Sequence, residues 1–313
     1  MEYRIALVQL APILGDLDAN LELVTNRLAQ SVAAGADLVV FPELALTGYL
    51  LQDLVPDVAM RADDPRLAAL SAAAPGVLVA IGFAEETRAH RYCNSVALLR
   101  DGELLGFHRK VYLPTYGLFD EGRFTRPGHQ IRTTEVGDPL HRIGLSVCED
   151  FWHPFLPMLQ AQDGASLLVN VAAGPARAPG SAAGTAAIAG WHKMQETYAL
   201  LGTVAVAFCN RVGNEEGLTF WGGSRLLAPD GSVLTEAPLY EEALVVGVLE
   251  TDDLRMQRYN LPLVGDERLE LVRREIDRII AERAEIPGPA EESDDGVLGA
   301  TSPERAEREA GRA

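Results

Sequence analysis

Short apolar runs alternate with longer amphipathic stretches along most of the chain, and this alternation predicts a mixed α/β fold. The short runs are rich in Val, Ile and Leu, as strands buried on both faces are. The longer stretches repeat apolar residues at helical spacing, with Leu21, Val24 and Leu28 on one face of the first. Strands are predicted at residues 3–10, 36–41, 76–84, 94–100, 103–109, 143–147, 166–171, 204–209, 219–227, 232–235 and 243–249. Helices are predicted at residues 18–34, 65–74, 154–163, 185–201 and 266–285.

Two kinds of segment interrupt this pattern. Asp101-Gly102 separates two strands with the positive φ that a tight hairpin turn needs. Residues 111–128 are rich in Pro, Gly, Tyr, Phe and charged residues, a composition that is typical of a long binding loop. A second loop rich in Pro, Gly, Ser and Ala is predicted at residues 175–184. Hairpins among alternating strands and helices indicate mixed sheets covered by helices.

The pattern also divides the chain. Residues 1–250 are predicted to form one continuous α/β domain, and residues 251–285 an extension around a charged helix. Residues 286–313 combine Pro, Gly, Ser and many charges with almost no large apolar side chain, so we expect a disordered acidic tail.

Composition narrows the possible partners and compartments. The chain is 48% hydrophobic with mean hydropathy +0.04, yet its formal charge is −18 and its pI about 4.7. Nucleic acids and anionic membranes are polyanions, so neither is an expected partner. There is no basic-then-apolar leader and no apolar run of about 18 residues, so we expect a cytoplasmic protein. Its three cysteines suit neither a disulfide framework nor a CxxC metal site.

Three apolar strands end in residues that can take part in chemistry. Glu43 follows LVVFP, Lys110 follows LGFHR, and Cys148 follows IGLSV. Taken singly, they could be a capping acid, a surface charge and a buried core thiol. Together they suit acyl transfer, because Glu43 can take the thiol proton and Cys148 can attack a carbonyl carbon. The Lys110 ammonium and the backbone N–H after Cys148 can then stabilise the oxyanion.

The sequence around these residues resembles the nitrilase, or carbon-nitrogen hydrolase, superfamily, and most of all the glutaminase domain of glutamine-dependent NAD synthetase. The resemblance runs from about Tyr3 to Leu249. It implies a four-layer αββα sandwich with mixed sheets, a homodimer or higher homo-oligomer, a Glu-Lys-Cys triad, and neither cofactor nor metal. The matching stretches are Phe41-Pro42-Glu43, Thr47-Gly48-Tyr49, residues 110–114, Phe119-Asp120-Glu121, Cys148-Glu149-Asp150 with Trp152 and Pro154, residues 210–213 and residues 222–224.

The resemblance also suggests residues around the triad of Glu43, Lys110 and Cys148. Glu121, eleven residues after Lys110, matches a second carboxylate that orients the lysine and helps to position substrate or water. Candidates for the wall of the substrate pocket are Tyr49, Tyr116, Phe119, Glu149 and Trp152. The aromatic residues among them could equally belong to the core.

Two departures from the NAD synthetase pattern bear on function. The sequence contains neither the SGGxDS-type pyrophosphate loop of the synthetase domain nor a Walker A motif, so it is not expected to make NAD alone. Residues 171–175 read Val-Ala-Ala-Gly-Pro, where that branch usually has a Ser-Ala-Ser-Pro-like segment near glutamine. Missing hydroxyls there put glutamine specificity in question.

These observations predict a cysteine amidohydrolase that cleaves a non-peptide C–N bond of a small linear amide through a thioester, releasing ammonia or an amine. A glutaminase that supplies ammonia to a separate synthetase is one alternative. A nitrilase is another, although nitrilases typically have Cys-Trp-Glu where this chain has Cys148-Glu149-Asp150. A non-catalytic scaffold is the third, and the complete triad argues against it.

Overall fold

The structure is a computed structural model that describes residues 1–176 and 182–285. The predicted tail at residues 286–313 and part of the predicted loop at 175–184 lie outside the described residues. A compact unit spans Met1–Asp266, and a second unit begins at Glu267. The compact unit therefore continues past the boundary at residue 250 that the sequence suggested.

The elements alternate as the sequence pattern predicted. The strands are β1 (Glu2–Gln9), β2 (Leu38–Val40), β3 (Leu78–Glu86), β4 (Tyr92–Arg100), β5 (Glu103–Arg109), β6 (Thr133–Gly137), β7 (His141–Val147), β8 (Leu167–Ala172), β9 (Ala205–Asn210), β10 (Val212–Glu215), β11 (Leu218–Trp221), β12 (Arg225–Leu227), β13 (Val233–Glu236) and β14 (Ala243–Glu250). The helices are α1 (Leu17–Ala33), α2 (Val55–Val58), α3 (Pro65–Ala72), α4 (Glu121–Phe124), α5 (Phe155–Gln162), α6 (Ala182–Gly202), α7 (Thr251–Asn260), α8 (Leu263–Asp266) and α9 (Leu269–Glu285). Short 3₁₀ turns cover Gln52–Leu54 and Cys148–Trp152.

Two six-stranded mixed sheets form the centre of the first unit, in the orders β14-β1-β2-β3-β4-β5 and β13-β12-β9-β8-β7-β6. Each contains three neighbouring parallel strands, β1-β2-β3 in one and β7-β8-β9 in the other, flanked by antiparallel strands. A separate ribbon pairs β10 with β11.

Alternate side chains of each strand enter different layers, because successive residues of a strand point to opposite faces. Ile5 and Leu7 of β1 join the core between the sheets, whereas Ala6 and Val8 pack with the helices α1 and α3. Helices α5 and α6 pack against strands of the second sheet. Burial on both faces explains why the strands are uniformly apolar. The predicted four-layer αββα sandwich with mixed sheets is confirmed.

The structure corrects several details of the predicted elements. The strand predicted at residues 219–227 is interrupted at Gly222 and Gly223, which have φ of 72° and 58°, so that β11 and β12 belong to different sheets. Strands β6 and β10 and helix α7 were not predicted. They contain many polar residues, so they lack the regular spacing of apolar residues that indicates a strand or a helix. The helix predicted at residues 266–285 begins at Leu269.

Candidate active site

The three residues of the predicted triad lie within three residues of the ends of three strands, as the sequence indicated. Lys110 follows β5, Cys148 follows β7, and Glu43 lies three residues after β2. The fold brings the first sheet's Lys110 Nζ to 2.9 Å from Glu43 Oε1, with both side chains fully buried. The second sheet contributes Cys148, and the carboxylate of Asp150, two residues later, accepts the backbone N–H of Val111, the residue after Lys110. The three strand ends therefore converge at one place.

Three donors hold the Glu43 carboxylate in a single orientation. Its Oε1 accepts hydrogen bonds from Lys110 Nζ and, at 2.7 Å, from Asn94 Nδ2 of β4. Its Oε2 accepts one from the backbone N–H of Ala173 at 2.6 Å. Ala173 belongs to the segment that lacks the expected hydroxyls. Because a backbone N–H makes this contact, the altered side chains do not remove it.

Lys110 bridges two carboxylates. Its Nζ also lies 2.7 Å from Glu121 Oε1, and the Tyr49 hydroxyl donates to the same oxygen at 2.6 Å. Burial by itself lowers the pKa of Lys110, but Glu121 and Glu43 outweigh burial and hold that pKa well above its ordinary value. Lys110 is therefore an ammonium at neutral pH. Burial raises the pKa of Glu121, and Lys110 opposes that rise.

Cys148 occupies an unusual backbone position at the start of a 3₁₀ turn. Its φ is 43°, a left-handed value that non-glycine residues seldom adopt and that costs on the order of 1–3 kcal/mol. The residue is 8% exposed. Burial, and then Glu43, raise the pKa of the Cys148 thiol well above its usual value, while Lys110 lowers it. The thiol is thus protonated at neutral pH, so nucleophilic attack requires a base.

Asp150 connects the two strand ends that carry Lys110 and Cys148. Its Oδ1 accepts the backbone N–H groups of Val111 and Tyr112 at 2.9 and 3.0 Å. Its Oδ2 accepts the N–H of Val147 at 3.0 Å and pairs with His108 Nε2 at 2.8 Å. The sequence placed Asp150 in a matched motif without giving it a role.

We expect Asp150→Ala to lower the free energy of unfolding by at least about 3 kcal/mol, because buried donors would lose a charged acceptor. Urea denaturation measures this loss. Asp163→Ala is the matched control, since Asp163 accepts bonds from Thr133 at the exposed surface, and it should cost less than about 1 kcal/mol. Equal losses in the two variants would contradict the connecting role of Asp150.

Four of the five predicted pocket residues lie in one cluster with Glu121. Tyr49, bonded to Glu121, packs edge-on against Phe119, which packs edge-on against Tyr116. The Tyr116 hydroxyl donates to the Glu149 carboxylate, 2.9 and 3.0 Å from its two oxygens. Burial raises the pKa of Glu149.

Trp152 does not share this arrangement. Within the described residues its ring contact is with Trp191 of α6, at 5.3 Å between centroids, and the side chain is 41% exposed. Its place in the substrate pocket stays a prediction.

A cavity of about 240 Å³ borders Glu121. Tyr49, Asn94 and Phe119 also line it, whereas Glu43, Lys110 and Cys148, all within the described part of the chain, do not. Asn94 Oδ1 and Glu121 Oε2 are buried and accept no hydrogen bond from described residues. The cavity therefore adjoins two residues that surround Glu43 and Lys110, Asn94 and Glu121.

Among the described residues, no group of three or more His, Cys, Asp and Glu side chains could hold a metal ion. None of the helices at residues 1–176 and 182–285 is long and apolar enough to cross a membrane.

Sequence reasoning missed two of the contacts that fix Glu43. Asn94 lies inside a predicted strand, and the Ala173 contact uses a backbone N–H, for which no side chain provides a signal. Both depend on pairs far apart in the chain, 51 residues for Asn94 and 130 for Ala173.

The fold is an αββα sandwich, and comparison with known proteins shows the family to which it belongs. Residues 4–259 match the family model described as carbon-nitrogen hydrolase, so the chain belongs to the carbon-nitrogen hydrolase family. A curated relative, the glutamine-dependent NAD(+) synthetase of Thermotoga maritima, is 33% identical over 259 residues, which are 80% of this chain and 42% of that protein. The chain spans about half the length of the curated relatives it matches.

Solved structures show the same fold. A carbon-nitrogen hydrolase from Helicobacter pylori G27 superimposes with a TM-score of 0.79 at 23% identity, covering 86% of this chain and 97% of that one. A mutant amidase from Nesterenkonia sp. AN1 superimposes with a TM-score of 0.71 at 26% identity, covering 87% and 99%. That amidase structure shows the result of Michael addition of acrylamide at the active-site cysteine.

Proposed function

We propose that this protein is a cysteine amidohydrolase that cleaves a non-peptide C–N bond of a small linear amide through a thioester on Cys148. The observation that carries the proposal is the buried Lys110 ammonium, 2.9 Å from Glu43 and 2.7 Å from Glu121, beside a protonated thiol. A base, a cation and a nucleophile in one buried site are the groups that acyl transfer requires.

Charge balance explains how the thiol can react there. With Glu43 and Glu121 counted as carboxylates and Lys110 as an ammonium, the group has a net charge of −1 before Cys148 ionises. A free thiolate would make it −2, which a buried site resists. If the proton moves from Cys148 to Glu43, the net charge stays at −1. Glu43 therefore serves as the base at the moment of attack.

Acylation then follows in balanced steps. Cys148 Sγ forms a bond to the carbonyl carbon while Glu43 takes the thiol proton, and the carbonyl oxygen becomes an oxyanion. Lys110 and the backbone N–H of Glu149 stabilise that oxyanion. When the C–N bond breaks, Glu43 returns the proton to the leaving nitrogen, which departs as ammonia or an amine.

Hydrolysis of the thioester uses the same groups. A water attacks the acyl carbon and gives a proton to Glu43, and the second oxyanion collapses with cleavage of the C–S bond. Glu43 returns the proton to sulfur, which regenerates the Cys148 thiol and frees the carboxylic acid. Glu121, which borders the cavity, is the second carboxylate that can position this water.

Selective labelling tests the nucleophile. Cys93 and Cys209 are also buried, and burial raises the pKa of Cys93 and takes that of Cys209 to about 12. Neither has Glu43 and Lys110 beside it, so we expect an active-site-directed electrophile to add once, at Cys148. Intact mass and peptide mapping measure the label, with Cys148→Ala as the control. Equal labelling of the three cysteines would contradict the proposal.

A screen for ammonia release tests the reaction class. Small linear amides, N-carbamoyl amines, glutamine and nitriles are compared under one set of conditions. We expect an amide to be the best substrate and Cys148→Ala to abolish its turnover. A nitrile hydrolysed as fast as the best amide would favour a nitrilase instead, and retained turnover in Cys148→Ala would exclude the thioester route.

A glutaminase is the second candidate, and Glu149 is the observation that favours it. Glu149 directly follows Cys148 in the buried 3₁₀ turn, so an ammonium-bearing amide such as glutamine has a counter-charge near the nucleophile. The relatives named as glutamine-dependent NAD(+) synthetases agree with this candidate. Ammonia released here would then supply a separate synthetase.

We expect Glu149→Gln to raise KM for glutamine about tenfold, equivalent to about 1.4 kcal/mol, while KM for propionamide stays within about twofold. The raised pKa of Glu149 means that its carboxylate gains a proton at a higher pH than usual. In the wild type, KM for glutamine should therefore rise as the pH falls through that pKa, and in Glu149→Gln it should not. Parallel changes for both amides would exclude a role in binding an ammonium group.

We also propose a cytoplasmic homodimer or higher homo-oligomer that acts on small molecules and binds neither nucleic acid nor membrane. Three free cysteines suit a reducing compartment, and a charge of −18 opposes binding to polyanions. Light scattering after gel filtration measures the oligomeric state, and a monomeric mass would contradict the assembly.

A further inference from the structure

A buried ion pair lies behind Tyr49, in the part of the chain that resembles the family but has no role in the proposed reaction. Glu215 ends β10, and its Oε2 accepts a hydrogen bond from Arg211 Nη1 at 2.6 Å. Its Oε1 accepts two consecutive backbone N–H groups, from Tyr49 at 2.9 Å and Leu50 at 2.6 Å. Arg211 and Glu215 are 1% and 7% exposed. The carboxylate therefore holds a loop that is neither helix nor strand.

Tyr49 connects that loop to the residues of the proposed triad. The Tyr49 hydroxyl donates to Glu121 Oε1, which also accepts from Lys110 Nζ. The Tyr49 ring packs edge-on against the Phe220 ring, and the Arg211 guanidinium lies 4.1 Å from the centre of the Phe220 ring. Glu215 thus binds the backbone of Tyr49, and Arg211 packs on the Phe220 ring that supports the Tyr49 ring.

Close approach at this point requires a glycine. Gly48 has φ of +78°, and a Cβ there would lie 2.9 Å from Glu215 Oε2 and 2.8 Å from the backbone of Leu14. The loop can reach Glu215 only because residue 48 has no side chain.

We propose that Glu215 is a positioning residue, which places the Tyr49 hydroxyl on Glu121 and thereby fixes the carboxylate that holds Lys110. This inference rests on the proposed function, because the geometry it protects is that of the triad. Turn bonds within the loop, such as Gly48 N–H to Leu44 O and Leu51 N–H to Tyr49 O, order it locally, and the two N–H bonds to one carboxylate tie Tyr49 to β10. A shift of about 1 Å at a reacting group can cost about a hundredfold in rate.

A direct Glu215→Ala change would confuse positioning with stability, because it leaves the Arg211 charge buried and unpaired. The test therefore compares two variants without the charge pair, Arg211→Met/Glu215→Gln and Arg211→Met/Glu215→Leu. Methionine can pack against Phe220 in place of the guanidinium. Glutamine keeps an oxygen acceptor for the two N–H groups, and leucine has a similar size but no acceptor.

We expect the glutamine variant to keep kcat within about threefold of wild type and the leucine variant to lose about 10- to 100-fold, with KM changed much less. The second measurement is the rate at which iodoacetamide alkylates Cys148, which needs no amide turnover. It should change at least about threefold in the leucine variant and little in the glutamine variant. Thermal melts establish that both are folded at the assay temperature.

A double-mutant cycle with Tyr49→Phe distinguishes positioning from a general structural effect. If Glu215 acts through the Tyr49 hydroxyl, the leucine substitution should cost less than about threefold once that hydroxyl is gone. Losses that multiply in the combined variant would overturn the inference, as would a leucine variant with wild-type kcat and alkylation rate. If the wild type hydrolyses no amide, the proposed function fails, and the same cycle in alkylation rates still decides the role of Glu215.

Discussion

Lys110→Arg should reduce kcat on the best amide about 100- to 1,000-fold, nearly as much as Lys110→Ala. The Lys110 ammonium is fully buried and contacts two carboxylates on different elements, at 2.9 and 2.7 Å. A guanidinium is a broad planar fork on a longer stem, so it cannot occupy the same point between Glu43 and Glu121. Loss of one oxyanion donor costs about two to three orders of magnitude, and displacement of about an ångström costs about a hundredfold.

Hydrogen bonds from other residues resist a shift of either carboxylate toward a position that suits the larger cation. Glu43 is held by Asn94 and Ala173, and Glu121 by Tyr49. A change of charge state is not the cause of the loss, because arginine stays protonated as lysine does here. The loss in Lys110→Arg therefore measures geometry, whereas Lys110→Ala measures the loss of charge.

The chain offers a matched control in its only other lysine. Lys193 is exposed on α6, and Lys193→Arg should leave kcat unchanged. Steady-state kinetics of the three variants, with folding checked by thermal melt, provide the comparison. A Lys110→Arg variant that keeps more than about a third of wild-type turnover would remove Lys110 from the triad.

Glu43→Gln should lower kcat and kcat/KM together by about 100- to 10,000-fold, the range that a general base contributes. The glutamine amide cannot take the thiol proton. It also fits the site badly, because Glu43 receives donors at both oxygens, Lys110 and Asn94 at one and the Ala173 N–H at the other. Either orientation of the amide sets its NH₂ group against a buried donor, at about 1–3 kcal/mol.

Glu85→Gln separates these two effects. Glu85 is another buried carboxylate of the first sheet, where it accepts bonds from Ser95 and Arg109 and has no role in the proposed reaction. Its variant should lose stability while kcat stays within about threefold of wild type. If the two glutamine variants lose turnover equally, the effect of Glu43→Gln reflects disturbed packing, and Glu43 is not the base.

The sequence by itself determined the strands and the residues at their ends. Fully apolar runs predict strands that are buried on both faces. A nucleophilic, acidic or basic residue soon after such a run lies near the carboxyl end of the strand. Glu43, Lys110 and Cys148 were predicted in this way. The spacing of apolar residues and the length of an apolar run are local properties of the sequence, so a short window of residues contains them.

Only the tertiary structure decided which strand ends meet and how each group is held. The sequence pattern did not place β5 and β7 in opposite sheets, nor Ala173 against Glu43 at a separation of 130 residues. The positive φ of Cys148 and the bonds from Glu215 to the Tyr49 loop were equally hidden. These features depend on how two sheets pack and on backbone groups that are common to nearly all residues. The type of residue at a position therefore does not predict them.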